Sequence, residues 1–146
     1  MLLWPAGHVG ATPGVSVVFF PEGSAEALVL GVIDHARAEI RPAGNSFTSP
    51  DMASALIRAK VRGVDVRVVL DEKANLNHNS QSAINLHAAR DIPVRLNRLY
   101  AALHDKFIVT DGRTVETGSF DYMRRRPENA LVIGDMPALA DRYLRL

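Results

Sequence analysis

Residues 104–119, His-Asp-Lys-Phe-Ile-Val-Thr-Asp-Gly-Arg-Thr-Val-Glu-Thr-Gly-Ser, leave little freedom in how they fold. The apolar run Phe107-Ile108-Val109 reads as a buried strand, Asp111-Gly112 as a hairpin turn, and Thr114-Val115-Glu116 as the returning strand. Residues i and i+2 of a strand share a face, so His104 and Lys106 should look out together from its start. The return strand brings Gly118 and Ser119 back towards the same level. An imidazole, an ammonium and a hydroxyl are therefore expected side by side at the open end of one hairpin.

The rest of the chain alternates helix and strand. Residues 15–20 read as a strand closed by the turn residues Pro21-Glu22-Gly23. Ser24 is placed to cap a helix with Glu26 in its first turn, and Leu28, Val32, Ile33, Ala36 and Ile40 recur at helical period. Arg41-Pro42-Ala43-Gly44 makes a poor central strand, because proline lacks a ladder donor and glycine weakens an interior; a bulge or a short strand is expected there. Ser49-Pro50-Asp51 opens a second helix with the stripe Met52, Ala55, Leu56 and Ala59, closed by Gly63. Residues 64–70 form a strand whose second half is continuously apolar, as in a buried parallel sheet.

Residues 71–80 are polar and read as a rim loop, after which Ser80 or Ser82 can cap a helix running to Ala88, with Ile84 and either Leu86 or His87 turned to the sheet. A short strand at 92–96, a lead-in containing Tyr100, a basic loop at 120–127, a strand at 130–133 and a helix at 137–146 complete the order. This alternation argues for an α/β domain.

At 146 residues the chain is long enough for one self-sufficient core. We read residues 1–14 as an N-terminal tail or the remnant of a signal peptide, and 15–146 as one domain. There is no cysteine, which excludes a thiol nucleophile, a Cys-based zinc site and disulfides. The formal net charge of +1 is too balanced to identify a partner, but Arg90, Arg95, Arg98, Lys106, Arg113, Arg124, Arg125 and Arg126 gather in the C-terminal half around the motif. No apolar run is long enough to span a membrane. The spacing of His8, His35, His78 and His87 is not that of a metal site.

The spacing H-x-K-x-x-x-x-D followed by Gly118-Ser119 resembles the signature of the phospholipase D superfamily. Gly63-Val-Asp-Val-Arg-Val-Val-Leu-Asp71, Ser46-Phe47-Thr48, Ile92-Pro-Val-Arg95 and Val115-Glu-Thr-Gly-Ser-Phe120 are similar to the small bacterial endonucleases of that superfamily, over nearly the whole chain. The resemblance implies a phospholipase D-like α/β/α sandwich, with a mixed central β-sheet flanked by helices. It implies a homodimeric endonuclease that hydrolyses DNA or RNA with no metal or other cofactor. Export or a periplasmic location would fit the family, and the cytoplasm stays open.

By the same resemblance His104 attacks phosphorus in one chain and acts as general acid in the other. Lys106 neutralises phosphoryl charge, Ser119 donates to phosphate, and Glu128 in Pro-Glu-Asn-Ala orients the histidine. Gly118, Asp121, Ser46, Arg124 and Arg125 are expected to meet the substrate, with Arg126 beside them. Asp111 belongs to the signature, and a hairpin turn accounts for it. Asp121 departs from the family, which usually carries Asn there: a carboxylate accepts hydrogen bonds but cannot donate one to phosphate. Two other readings are open: a phospholipase D or phosphatidyl-transferase, since the resemblance includes such enzymes, and, from Asp121, a catalytically impaired nucleic-acid-binding module.

Overall fold

A computed structural model describes residues 14–19, 24–99, 103, 105–120 and 128–146. In chain order the elements are β1 (Gly14–Phe19), α1 (Ala25–His35), β2 (Glu39–Gly44), α2 (Pro50–Val61), β3 (Asp65–Val66), β4 (Val68–Asp71), a 3-10 turn (Lys73–Asn75), α3 (His78–Ala88), β5 (Val94–Asn97), β6 (Phe107–Thr110), β7 (Thr114–Gly118), β8 (Asn129–Gly134) and α4 (Pro137–Leu144). The strands form one sheet in the order β1-β8-β7-β6-β2-β4-β5, with β3 also on β2. Pairing is parallel from β2 to β5 and antiparallel from β2 through β6, β7 and β8 to β1. The sheet is thus mixed, and helices lie on both of its faces.

The helices begin where side chains can replace missing backbone partners. Ser24 accepts the N–H of Ala27 at the start of α1, and Ser49 accepts that of Met52 at the start of α2. The Ser49 hydroxyl also donates to Glu26 at 2.7 Å, joining the two helix starts. The α2 stripe is buried as its spacing predicts, with Ala53 added. On α1 the buried line is Ala25, Val29 and Ile33, whereas Leu28 and Val32 are half-buried and Ile40 belongs to β2. The buried face thus keeps Ile33 and Ala36 of the expected stripe and exchanges Leu28 and Val32 for Ala25 and Val29.

These helices and α3 pack on one face against Ile40, Val66, Val68, Leu70, Ile108 and Ala130. On the other face α4 covers Phe107, Val109 and Val115, with Tyr143 edge-on to Phe107.

The segment 41–44 shows neither a bulge nor a short strand: β2 runs unbroken through Pro42 in the middle of the sheet. Its neighbour gives way instead. Arg67 N–H donates to Ile40 O, so the next ladder bond on that side would come from the nitrogen of residue 42, which in proline carries no hydrogen. Pairing is interrupted there and resumes in the same register at Ala43 with Val69.

The hairpin turn holds more than a tight bend. Asp111 and Gly112 both have positive φ, as the Asp-Gly turn demands. The Asp111 carboxylate also accepts the backbone N–H groups of Arg37, Ala38 and Glu39 at 2.7–3.1 Å. Burial raises its pKa, but those donors outweigh burial and hold the carboxyl below the usual range. Turn chemistry alone is thus an incomplete account of this residue, which clamps the start of β2 onto the hairpin.

Candidate active site at one end of the sheet

Register places the motif residues at a single edge. Phe107 opposes both Ala43 and Thr117, so the start of β6, the end of β2 and the end of β7 are level. Gly118 opposes Ala130, and Phe19 opposes Asn129, which brings the start of β8 and the end of β1 to the same edge. Asp71 and Asn97 end β4 and β5 there. This is the carboxyl edge of the parallel strands, where open α/β sheets offer their crevice.

Lys106 immediately precedes β6, is half-buried, and its carbonyl accepts the Thr117 hydroxyl at 3.0 Å. Ser119 is exposed at the end of β7. Its Oγ accepts the N–H of Asn129 and its own N–H is received by the Asn129 side chain, each at 3.0 Å. A hydroxyl held as an acceptor keeps its own proton for donation. Sequence alone does not single out Asn129, since a polar residue before an apolar run carries no signal of its own. Glu128, directly before it, is half-buried.

Gly118 is required for a reason other than closeness to a substrate: a Cβ there would lie 2.3 Å from Asn129 O. Ser46 lies in the loop leaving β2 and is 8% exposed. His104, Tyr100, Asp121, Arg124, Arg125 and Arg126 lie outside the described residues. Among the described residues no group of three or more His, Cys, Asp or Glu side chains is disposed to hold a metal ion.

The polar stretch after β4 is not an open rim loop. Asp71 and Asn75 are buried, and α3 is capped by Asn77, which accepts the N–H of Ser80, instead of by Ser80 or Ser82. His87 is the α3 residue turned inwards, edge-on to Phe47, while Leu86 is exposed. A cavity of about 430 Å³ opens at the opposite end of the sheet, between Leu28, Val32 and His35 of α1 and Thr110 and Thr114 of the hairpin. It is therefore separate from the motif edge.

A mixed sheet flanked by helices, with Lys106, Ser119 and Glu128 at the strand ends of one edge, defines an α/β domain. The family of the cardiolipin synthase PLD-like domain matches residues 29–144, and the chain belongs to it and to the phospholipase D superfamily of phosphodiesterases. Nuc from Salmonella typhimurium, a phospholipase D family member, superposes with a TM-score of 0.89 and 46% identity, over 92% of this chain and 91% of Nuc. Phospholipase D of Rickettsia bellii is 33% identical over 135 residues, 90% of this chain and 66% of the relative. Mitochondrial cardiolipin hydrolase of Homo sapiens is 31% identical over 147 residues, 92% of this chain and 56% of the relative. The chain thus spans about two thirds or less of these two curated relatives.

Proposed function

We propose that this phosphodiesterase is a metal-independent endonuclease acting on DNA or RNA as a two-fold dimer. The observation that carries the proposal is the convergence of Lys106, Ser119 and Glu128 on one sheet edge, next to a motif with a single histidine. Phosphodiester hydrolysis through a covalent intermediate needs an attacking group and a separate acid for the leaving oxygen. Two copies of His104 supply both. A neutral His104 forms the N–P bond as the leaving oxygen departs with the proton of the second copy's imidazolium. That second imidazole, now neutral, takes a proton from the water that breaks the N–P bond and frees the first.

Lys106 and Ser119 hold the non-bridging oxygens and Glu128 orients an imidazole. Gly118, Ser46 and Asp121 border the substrate, and Arg124 with Arg125 and Arg126 takes the nucleic-acid backbone.

A second copy has a surface to meet. Val15, Val17 and Phe19 share one face of the edge strand β1 and are 67%, 49% and 53% exposed. The strip ends at Phe19, opposite Asn129, which bonds Ser119, so apolar surface runs up to the site. Val17→Asp is expected to convert a sedimenting dimer to monomer and to abolish turnover; an active monomer would remove the two-histidine mechanism.

Plasmid digestion in excess EDTA, with wild type and His104→Ala, tests the reaction itself. EDTA-resistant nicking lost in the variant supports the nuclease. The names of the Rickettsia and human relatives favour a second reading, a lipid phosphodiesterase. Hydrolysis of phosphatidylcholine or cardiolipin vesicles without plasmid nicking would establish that one instead.

A further inference from the structure

We infer that Asp71 and Asn75, to which the motif gives no role, are positioning residues that fix the two chain segments bearing Ser46 and His104. Asp71 ends β4 and is 3% exposed; one carboxylate oxygen accepts Ala74 N–H and the other accepts Leu103 N–H, both at 2.8 Å. Leu103 directly precedes His104 in the chain. Asn75, fully buried, donates to the carbonyls of Asp71 and Asn45 at 2.6 Å and accepts Phe47 N–H at 3.1 Å. It therefore holds the backbone on both sides of Ser46. Gln81 of α3 donates to Asn75 O at 2.5 Å, tying the group to a helix.

Each of these bonds crosses between segments far apart in the chain, closes the 3-10 turn that presents them, or joins that turn to α3. Together they make one buried polar unit from the ends of β2 and β4 and the approach to β6. Burial raises the Asp71 pKa, but the backbone donors and the nearby Lys73 charge outweigh it, so the carboxyl lies below the usual range and is an ionised acceptor at neutral pH. An ionised acceptor buried among N–H donors binds them more tightly than a neutral one. Asp71 thereby sets the point at which the chain enters the H-x-K motif. An attacking imidazole must be held in line with phosphorus, and small misplacements cost large factors in rate.

The kinetic arm of the test rests on the phosphodiesterase reading above, and the exchange arm does not. In the wild-type protein the Leu103 amide is expected to exchange with deuterium as slowly as the ladder amides of β4 and β6; exchange at the free-peptide rate would overturn the tether. Asp71→Asn keeps the shape and loses one acceptor. With bis(4-nitrophenyl) phosphate, a phosphodiester that carries neither a nucleoside nor an acyl chain, its kcat is expected to fall about 10–100-fold with KM within about twofold. Asp111→Asn is the control, because it weakens a carboxylate clamp at the opposite end of the sheet and should lower Tm without changing kcat.

Where Asp71→Asn does not fold, an ester in place of the peptide joining Ala102 to Leu103 deletes only the N–H and should give the same loss of kcat. A kcat unchanged in Asp71→Asn or the ester, or falling equally in Asp111→Asn, would overturn the positioning role. A wild type inactive on this substrate with a protected Leu103 amide would instead refute the proposed function and leave the tether standing.

Discussion

Asp71 and Glu116 are 3% and 2% exposed, yet burial leaves them in opposite charge states. Asp71 sits at a strand end, where the 3-10 turn and the approach to β6 have backbone N–H groups not spent on the ladder, and these keep it ionised. Glu116 sits inside β7, flanked by Ile108 of β6 and Val132 of β8, on a stretch whose backbone groups serve two ladders. Its side chain shares a face with Ile108 in the apolar layer below the helices, and burial pushes its pKa up to about 8. At neutral pH it is mainly a protonated acid. Depth alone therefore does not decide whether a carboxyl is charged; the supply of unspent donors does, and in a sheet that supply lies at the strand ends.

The largest effect expected from this contrast is at Glu116. A folded-state pKa raised from 4.5 to about 8 gives stability that is complete below pH 4.5 and lost as pH rises through about 8. The span corresponds to about 5 kcal/mol. Denaturant titrations from pH 5 to 9 should show wild type weakening with pH and Glu116→Gln holding a flatter curve, more stable than wild type at pH 8. Equal slopes would place a hidden donor at Glu116.

Asp111 provides the converse test. Asp111→Ala strips the acceptor from three backbone N–H groups and should cost about 3 kcal/mol in the same assay. Because the Asp71 and Asp111 pKa values are lowered, their stabilisation is present above pH 3.8 and lost as pH falls below it. Asp111→Ala should therefore shrink the acid limb of the stability curve; a limb of unchanged depth would refute the clamp.

The proposed function extends the contrast to Asp121. A carboxylate facing phosphate lacks the proton that an amide donates, so Asp121→Asn is expected to raise kcat/KM about tenfold or more, measured on a small phosphodiester. A variant equal to or slower than wild type would mean that Asp121 does not face the phosphate. The smallest effect belongs to His87, whose pKa is lowered by burial although its bond to Ala83 O opposes this. Its Nε2 is buried and has no hydrogen-bond partner among the described residues. Protonation favours the unfolded chain, so stability should decline as pH falls below 6.5. The readout is cleanest in the Glu116→Gln background, which lacks the opposing carboxyl: there, adding His87→Gln should remove that decline, visible as a Tm that no longer drops between pH 7 and 5.

Local chemistry made much of the fold legible in advance. Ser24 and Ser49 cap the helices they precede, Gly63 closes α2 with φ of +88°, and Asp111-Gly112 turns the hairpin. What stayed hidden depends on partners distant in sequence. Pro42 is tolerable in β2 only because its nitrogen meets the one gap in the neighbouring strand. On α1 the spacing predicts Ile33 and Ala36 inside, but Ala25 and Val29 take the places of Leu28 and Val32, because the helix orientation depends on how it meets the sheet. Asn75 and Asn77 look like loop polarity until the carbonyls and N–H groups they satisfy are known. At the site, Lys106, Gly118 and Ser119 follow from hairpin register, whereas Asn129 and Asp71 act through bonds that no motif spacing encodes.

The position of β1 bears on how the chain is made. Phe19 pairs with Asn129, about 110 residues further on, so β1 leaves the ribosome long before the strand it pairs with. At typical translation speeds that wait is roughly 6–20 s. Throughout it, Val15, Val17 and Phe19 form a short β-branched and aromatic segment with an unpaired backbone, the kind that seeks another edge. Yield from a cell should therefore depend on translation rate and holding chaperones more than on the stability of the finished sheet.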